Sequence, residues 1–136
     1  MRILAVDYGE RRTGLAVSDE LGITAQGLDT LVSDEEDRIP YEVARIAAEV
    51  GAERIVVGLP LNMDGSESIK SMKVRSFADL LARESSIPVV FWDERLSSMQ
   101  AQRIVREIGQ KNRGSKHTVD RISATLILQE YLKTVS

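Results

Sequence analysis

The stretch Ile3-Leu4-Ala5-Val6-Asp7-Tyr8-Gly9-Glu10-Arg11-Arg12-Thr13-Gly14-Leu15-Ala16-Val17-Ser18 decides how this chain is read. Ile3 to Val6 is an apolar, β-favouring run that reads as a buried strand, and it ends in a carboxylate followed at once by a turn signal. Gly9 and Gly14 bracket Glu10 to Thr13, and Leu15-Ala16-Val17 resumes the apolar pattern. The stretch is therefore a predicted β-hairpin that leaves Asp7 at the rim of a sheet. An acid in that position can hold a cation; it can equally begin the turn, as Asp often does.

The totals narrow the possibilities. A chain of 136 residues is expected to form one domain, 1–136, with a real core. Hydrophobic residues at 43% and charged residues at 29% are the balance of a globular protein. No apolar run approaches the ~18 residues a membrane helix needs, and the N-terminus lacks the charged-then-apolar pattern of a signal peptide, so a cytoplasmic location and no membrane partner are expected. The absence of cysteine excludes disulfides and thiolate metal sites, and the single histidine, His117, excludes a poly-imidazole site. A bound metal would have to be held by carboxylates, which selects hard cations such as Mg²⁺ or Mn²⁺. The net charge of −3 argues against bulk, non-specific nucleic-acid binding.

Beyond the hairpin, Gly22 to Leu31 alternates weakly and reads as a third antiparallel strand. Ser33 stands three residues ahead of Glu36, a capping-box pattern for a helix from Asp34 to about Val50; Pro40 inside it suggests that the helix instead begins near the proline. Gly51 ends it. Arg54 to Leu59 follows as a buried strand parallel to the first, and the Leu61 to Ser66 loop leaves its carboxyl end, where open α/β sheets gather ligands. A helix opened by Ser66-Glu67-Ser68 carries Ile69, Met72, Phe77, Leu80 and Leu81. Pro88 to Trp92 reads as a fifth, core strand ending in Asp93 and Glu94. Ser97 and Ser98 can cap a short helix from about Met99 to Ile108. The polar, cationic segment from Gln110 to His117 reads as a loop, and Thr118 can cap a last helix to about Lys133.

In that last helix Asp120 shares an arc with Ala124, Ile127, Leu128 and Tyr131, so its carboxylate is predicted to face inward. A buried acid needs a cation or metal partner; the alternative is that Asp120 serves the exposed N–H groups at the helix start. Asp7, Asp93 or Glu94, and Asp120 thus form a candidate cluster at three rims. Carboxylates converging without histidine or cysteine suit a magnesium site for phosphate chemistry. Glu94 has the longer reach and is favoured over Asp93 as the second ligand, giving Asp7, Glu94 and Asp120 as the expected metal ligands.

The motifs Asp7-Tyr8-Gly9 with Arg11-Arg12-Thr13-Gly14-Leu15-Ala16, Val57-Gly58-Leu59-Pro60-Leu61-Asn62-Met63-Asp64-Gly65, Trp92-Asp93-Glu94-Arg95-Leu96-Ser97, and Lys116 through Val119-Asp120 to Ala124 resemble the YqgF/RuvX family of small RNase H-like bacterial proteins. Four motifs in order cover nearly the whole chain. The resemblance implies an α/β, RNase H-like fold with a five-stranded mixed sheet, the first three strands antiparallel and then β-α-β, flanked by helices. It also implies a nuclease that trims the 5′ end of precursor 16S ribosomal RNA, with family acids mapping onto Asp7, Asp93-Glu94 and Asp120. Family members were earlier assigned by analogy as Holliday junction resolvases. This chain departs from the family pattern at Ser97-Ser98 and Ser123-Ala124, changes that are conservative in size.

Arg11, Arg12, Arg95, Lys111, Arg113 and Lys116 are the candidate phosphate-binding cations around the acids, with His117 beside them. Arg95 can instead pair with Asp93 or Glu94 and orient it. Aromatics total only 4%, so no stacking platform for bases is evident. The expected partner is RNA, with structured DNA as the alternative, and the expected state is a monomer or weak homodimer. The competing functions are a junction resolvase, which needs a two-fold dimer, and a non-catalytic ribosome-assembly factor that binds nucleic acid. The first hairpin also resembles the phosphate loop of sugar kinases and actin-like ATPases, but those need two lobes.

Overall fold

Strand β1 (Ile3–Asp7) lies at the middle of the sheet, with β2 (Arg12–Ser18) antiparallel on one side and β5 (Arg54–Leu59) parallel on the other. Alternate residues of a strand face opposite sides of the sheet, and both sides here are covered. Leu4 and Val6 join one core cluster with Ile55, Val57, Leu59, Val43, Phe77 and Leu81; Ile3 and Ala5 join a second with Val56, Trp92, Ala124, Ile127 and Leu128. This double burial is why the strand reads as an uninterrupted apolar run.

These features come from a computed structural model that describes residues 1–100, 103–104, 106–107 and 116–135. Helices α1 (Ile39–Glu49) and α2 (Ile69–Glu84) pack together over the first cluster, and α3 (Lys116–Val135) lies on the other face across β1, β2 and β3 (Ala25–Gly27). The sheet runs β3-β2-β1-β5-β6, with β6 (Val89–Asp93) parallel to β5 at the edge. The five-stranded mixed sheet expected from the sequence is this path. A short sixth strand, β4 (Leu31–Val32), pairs with β2 beside it.

The single third strand read across 22–31 is in fact β3 and β4, two short pieces that pair with different parts of β2. Helix α1 begins beside Pro40, in its first turn, after a 3₁₀ turn at Glu36–Arg38. Ser33 does not cap it, because its hydroxyl receives the Glu35 N–H instead. Gly51, at φ +72°, turns the chain out of the helix in the left-handed conformation that glycine adopts without strain. Helix α2 opens on a full capping box between Ser68 and Ser71. Its buried stripe is Ser71, Val74, Phe77, Ala78 and Leu81, so Ile69, Met72 and Leu80 from the sequence reading face solvent. Phe91, expected in the core, is exposed because β6 is an edge strand; the Arg75 guanidinium lies 5.3 Å from its ring centre. The described residues between 99 and 107 are helical, as expected, and α3 begins two residues before Thr118. No helix among the described residues is long and apolar enough to cross a membrane.

Candidate active site

Strand parity builds the site. Ile3 and Ala5 face α3, so Asp7, two residues further on, continues that face at the carboxyl end of β1. Across the ladder its partner is Gly14, which abuts the backbone of Asp120 at the start of α3. On β5 the same face carries Val56 and then Gly58; on β6 it carries Val90 and Trp92. Asp93 therefore ends β6 on the opposite face. Glu94, the first residue of a 3₁₀ turn (Glu94–Leu96), swings back to the Asp7 side. A Cβ added to Gly58 would crowd Ile127 Cδ1 of α3 at 2.7 Å and reach contact distance, 3.4 Å, of Glu94 Cδ and Oε1, which places the Glu94 carboxyl over β5 on the α3 face.

Asp7 and Glu94 are electrostatically strained. Burial pushes the Asp7 carboxyl up to about 6, with Lys70 opposing and Asp120 adding to the rise. Burial also pushes Glu94 up to about 7, reinforced by the neighbouring charge of Asp7, opposed by Lys70, and reinforced again by Asp93. Neither carboxylate has a hydrogen-bond partner among the described residues. Asp93 behaves oppositely. Its hydrogen bonds to Arg95 hold it below the usual carboxylate range: Arg95 Nε donates to both oxygens at 3.1 Å and Nη2 to Oδ2 at 2.7 Å. Arg95 also donates to the Met63 carbonyl at 3.4 Å, and its Nη1 would lie 3.2 Å from a Cβ on Gly65. It therefore ties the loop after β5 to the end of β6.

Asp120 faces inward as the helical arc required, since Ala124, Ile127, Leu128 and Tyr131 below it are all buried. Its Oδ2 accepts a hydrogen bond from Arg12 Nε at 3.1 Å. That supplies the cation which a half-buried acid demands. Of the four predicted acids, Asp7 and Glu94 thus stand together, Asp120 stands beside Asp7 but turned to Arg12, and Asp93 is engaged elsewhere. Among the described residues no three acids are gathered closely enough to cage an ion.

Of the predicted cations, Arg12 reaches the site through Asp120, Arg95 acts as a clamp on the loop, and Arg11 is exposed at the hairpin turn. Lys111 and Arg113 lie outside the described residues, as do the side chains of Lys116 and His117. The sequence reading missed Lys70, in the first turn of α2, whose charge reaches both Asp7 and Glu94. Its signal was positional: it opens the helix that follows the loop at a parallel strand's carboxyl end.

Comparison with known proteins follows the same lines. The family model described as "RuvX: Holliday junction resolvase" matches residues 1–134. A protein of Koribacter versatilis (strain Ellin345) named "Putative pre-16S rRNA nuclease" is 46% identical over 132 residues, covering 97% of this chain and 86% of its own length. One of the same name from Geobacillus sp. (strain WCH70) is 45% identical over 137 residues, covering 97% of each chain. Among solved structures, RuvC of T. thermophilus in complex with a Holliday junction substrate superimposes with a TM-score of 0.62 at 18% identity, over 100% of this chain and 97% of that one. The fowlpox virus resolvase in complex with Holliday junction DNA gives 0.58 at 19% identity, over 99% of each. At these identities the structural likeness concerns the fold, which is RNase H-like.

Proposed function

This chain belongs to the RuvX family, and on that premise we propose that it is a metal-dependent nuclease hydrolysing phosphodiester bonds of RNA, acting on the 5′ end of precursor 16S ribosomal RNA. The observation that carries the reading is the Asp7–Glu94 pair: carboxylates at the end of β1 and just beyond the end of β6, on either side of β5, within each other's electrostatic reach, both pushed up and neither neutralised by a hydrogen bond among the described residues. Two like charges in a half-buried site are costly unless a cation joins them.

The donor set fits a hard divalent ion. It offers carboxylate oxygens alone, and magnesium is commonly held by one or two carboxylates together with waters and substrate phosphates. Asp7 and Glu94 would hold Mg²⁺ or Mn²⁺, and Asp120 would complete the set once Arg12 releases it. Bound there, the ion supplies charge neutralisation for the phosphodiester oxygens and a more acidic water. The chain's own residues do the rest. Glu94, at about 7, would give up the proton it partly retains near neutrality, while Asp7, at about 6, is mostly ionised there. Gly58 admits Ile127 of α3 beneath the Glu94 carboxyl, and the Asp93–Arg95 clamp fixes the backbone from which Glu94 projects. Arg12, once freed from Asp120, can meet a phosphate.

The test is cleavage of an end-labelled precursor 16S fragment and of a four-way DNA junction, each with Mg²⁺, with Mn²⁺ and with chelator, by wild type and by Asp7→Asn. Metal-dependent RNA cleavage that vanishes in the variant supports the reading. Cleavage of the junction alone would replace it with resolution of DNA junctions, and RNA binding without cleavage by wild type would replace it with a binding factor.

A further inference from the structure

Lys70 sits across from the acid pair without joining it. Its charge reaches both Asp7 and Glu94, yet it forms no salt bridge or hydrogen bond among the described residues. An ammonium on a flexible stem beside two carboxylates ordinarily closes onto one of them. Here the backbone that carries it is pinned: Ser68 and Ser71 cap the helix reciprocally, and Ser68 Oγ donates to the Pro60 carbonyl at 2.8 Å. Lys70 therefore stands within electrostatic reach of the two acids without bonding to either.

Lys70 also lines a groove together with Tyr8, Gly9, Glu10 and Lys73. Tyr8 and Gly9 follow Asp7 directly, so the groove begins where the candidate metal ligands end. Gly9 on this lining is required by the hairpin itself, because a Cβ there would lie 2.2 Å from the Arg12 carbonyl oxygen. Lys73, one turn along α2, is paired with Glu10, which also lines the groove, whereas Lys70 is exposed on the same lining and pairs with no described residue.

We infer that Lys70 grips a backbone phosphate of the bound RNA strand, holding it between the ammonium on α2 and the Asp7–Glu94 pair at the strand ends. This assignment rests on the nuclease reading for its substrate class and names a phosphate contact outside the basic segment from Lys111 to Lys116. The groove past Gly9 then carries the adjoining nucleotide. An ammonium is suited to the task because it meets phosphate as a compact point charge and tolerates any base.

The assignment is tested by binding of a fluorescein-labelled single-stranded RNA, followed by anisotropy across a KCl series in the presence of chelator, so that nothing is cut. Wild type is compared with Lys70→Ala, Lys70→Arg and Lys133→Ala. The last removes an equal charge at the far end of α3, where Lys133 pairs with Glu130. Loss of one phosphate contact lowers the slope of log affinity against log salt by about 0.7. That drop is expected in Lys70→Ala alone, with Lys70→Arg restoring it. With metal present, kcat/KM in Lys70→Ala is expected to fall about 10- to 100-fold. An unchanged slope in Lys70→Ala, or an equal drop in Lys133→Ala, overturns the assignment. A wild type that binds RNA without cutting it when metal is present overturns the nuclease reading only, since the slope is measured without cleavage; a wild type that binds no RNA either with chelator or with Mg²⁺ overturns both.

Discussion

A Cβ built on Gly14 would lie 2.1 Å from the backbone oxygen of Asp120. The start of α3 thus rests on the backbone of β2 at the residue paired with Asp7. One contact sets the spacing between two acids that lie 113 positions apart in the sequence.

Gly14→Ala should lift the first turn of α3 from the sheet. Overpacking of this kind costs about 1–3 kcal/mol, and the displaced Asp120 should lose its hydrogen bond to Arg12. Thermal unfolding would show a lowered Tm, and nuclease activity should fall further than the loss of folded protein explains. A variant with wild-type Tm and activity would refute this view of the contact.

Asp7→Asn should abolish cleavage and stabilise the metal-free protein. The Asp7 carboxyl titrates near 3.8 when unfolded and at about 6 in the fold, and Glu94 moves from 4.5 to about 7. Raised folded values mean that the native state binds more protons than the unfolded chain across this window. The metal-free protein is then most stable below about pH 4 with respect to these groups. It loses that stability as pH rises to about 7. Removing the Asp7 charge should recover about 1–3 kcal/mol at pH 8, flattening the profile between pH 4 and pH 7, as chemical denaturation in a pH series can check.

Adding Mg²⁺ or Mn²⁺ should reverse that trend. An ion that binds only the native state raises stability by about 2.7 kcal/mol at a hundredfold excess over its Kd. A thermal-shift titration should therefore show stabilisation that grows from pH 6 to pH 8, disappears with chelator, and is absent from Asp7→Asn and Glu94→Gln. Equal shifts in wild type and both variants would place the ion elsewhere.

Glu94 and Asp93 should separate cleanly despite being neighbours. Glu94→Gln is expected to reduce kcat by at least about 100-fold, the scale of losing a ligand to a charge-neutralising ion. Asp93→Asn should act through Arg95 and the Met63–Gly65 loop. Its expected loss is about tenfold or less, accompanied by greater protease sensitivity of that loop. The reverse ranking would mean that Asp93 turns inward.

Arg12→Ala should weaken RNA binding and tighten metal binding. The guanidinium competes with any ion for Asp120 Oδ2, and an ion pair of this exposure contributes about 0.2–1 kcal/mol. Isothermal titration should show Mn²⁺ affinity rising up to about fivefold, while anisotropy shows RNA affinity falling. Weaker binding of both would make Arg12 a support for Asp120 instead of its competitor.

Much of this was legible in the chain because it depends on local periodicity. The unbroken run from Ile3 to Val6, the bracket of Gly9 and Gly14, and the arc from Asp120 to Tyr131 each encode burial with a period that neighbouring residues reveal. The hairpin, the parallel strand after α1 and the inward face of Asp120 followed from them. Pro40 marked the first turn of α1 for an equally local reason, the missing N–H and fixed φ that suit a helix start.

What the tertiary structure alone decided concerns faces and edges. Whether Asp93 or Glu94 meets Asp7 depends on which side of β6 packs under α3, and nothing within Val89 to Glu94 states that; Trp92 settles the parity only once it is seen against Ala124 and Ile127. Phe91 is exposed on β6, the edge strand among the described residues, and α2 turns Ser71 inward and Ile69 to solvent, an orientation that only packing against the sheet and α1 decides. Lys70 comes near the acids only after the β5–α2 loop has folded back and been clamped by Arg95. Periodicity is a short-range property of the chain, whereas the order of strands and the pairing of faces are long-range contacts that no single segment contains.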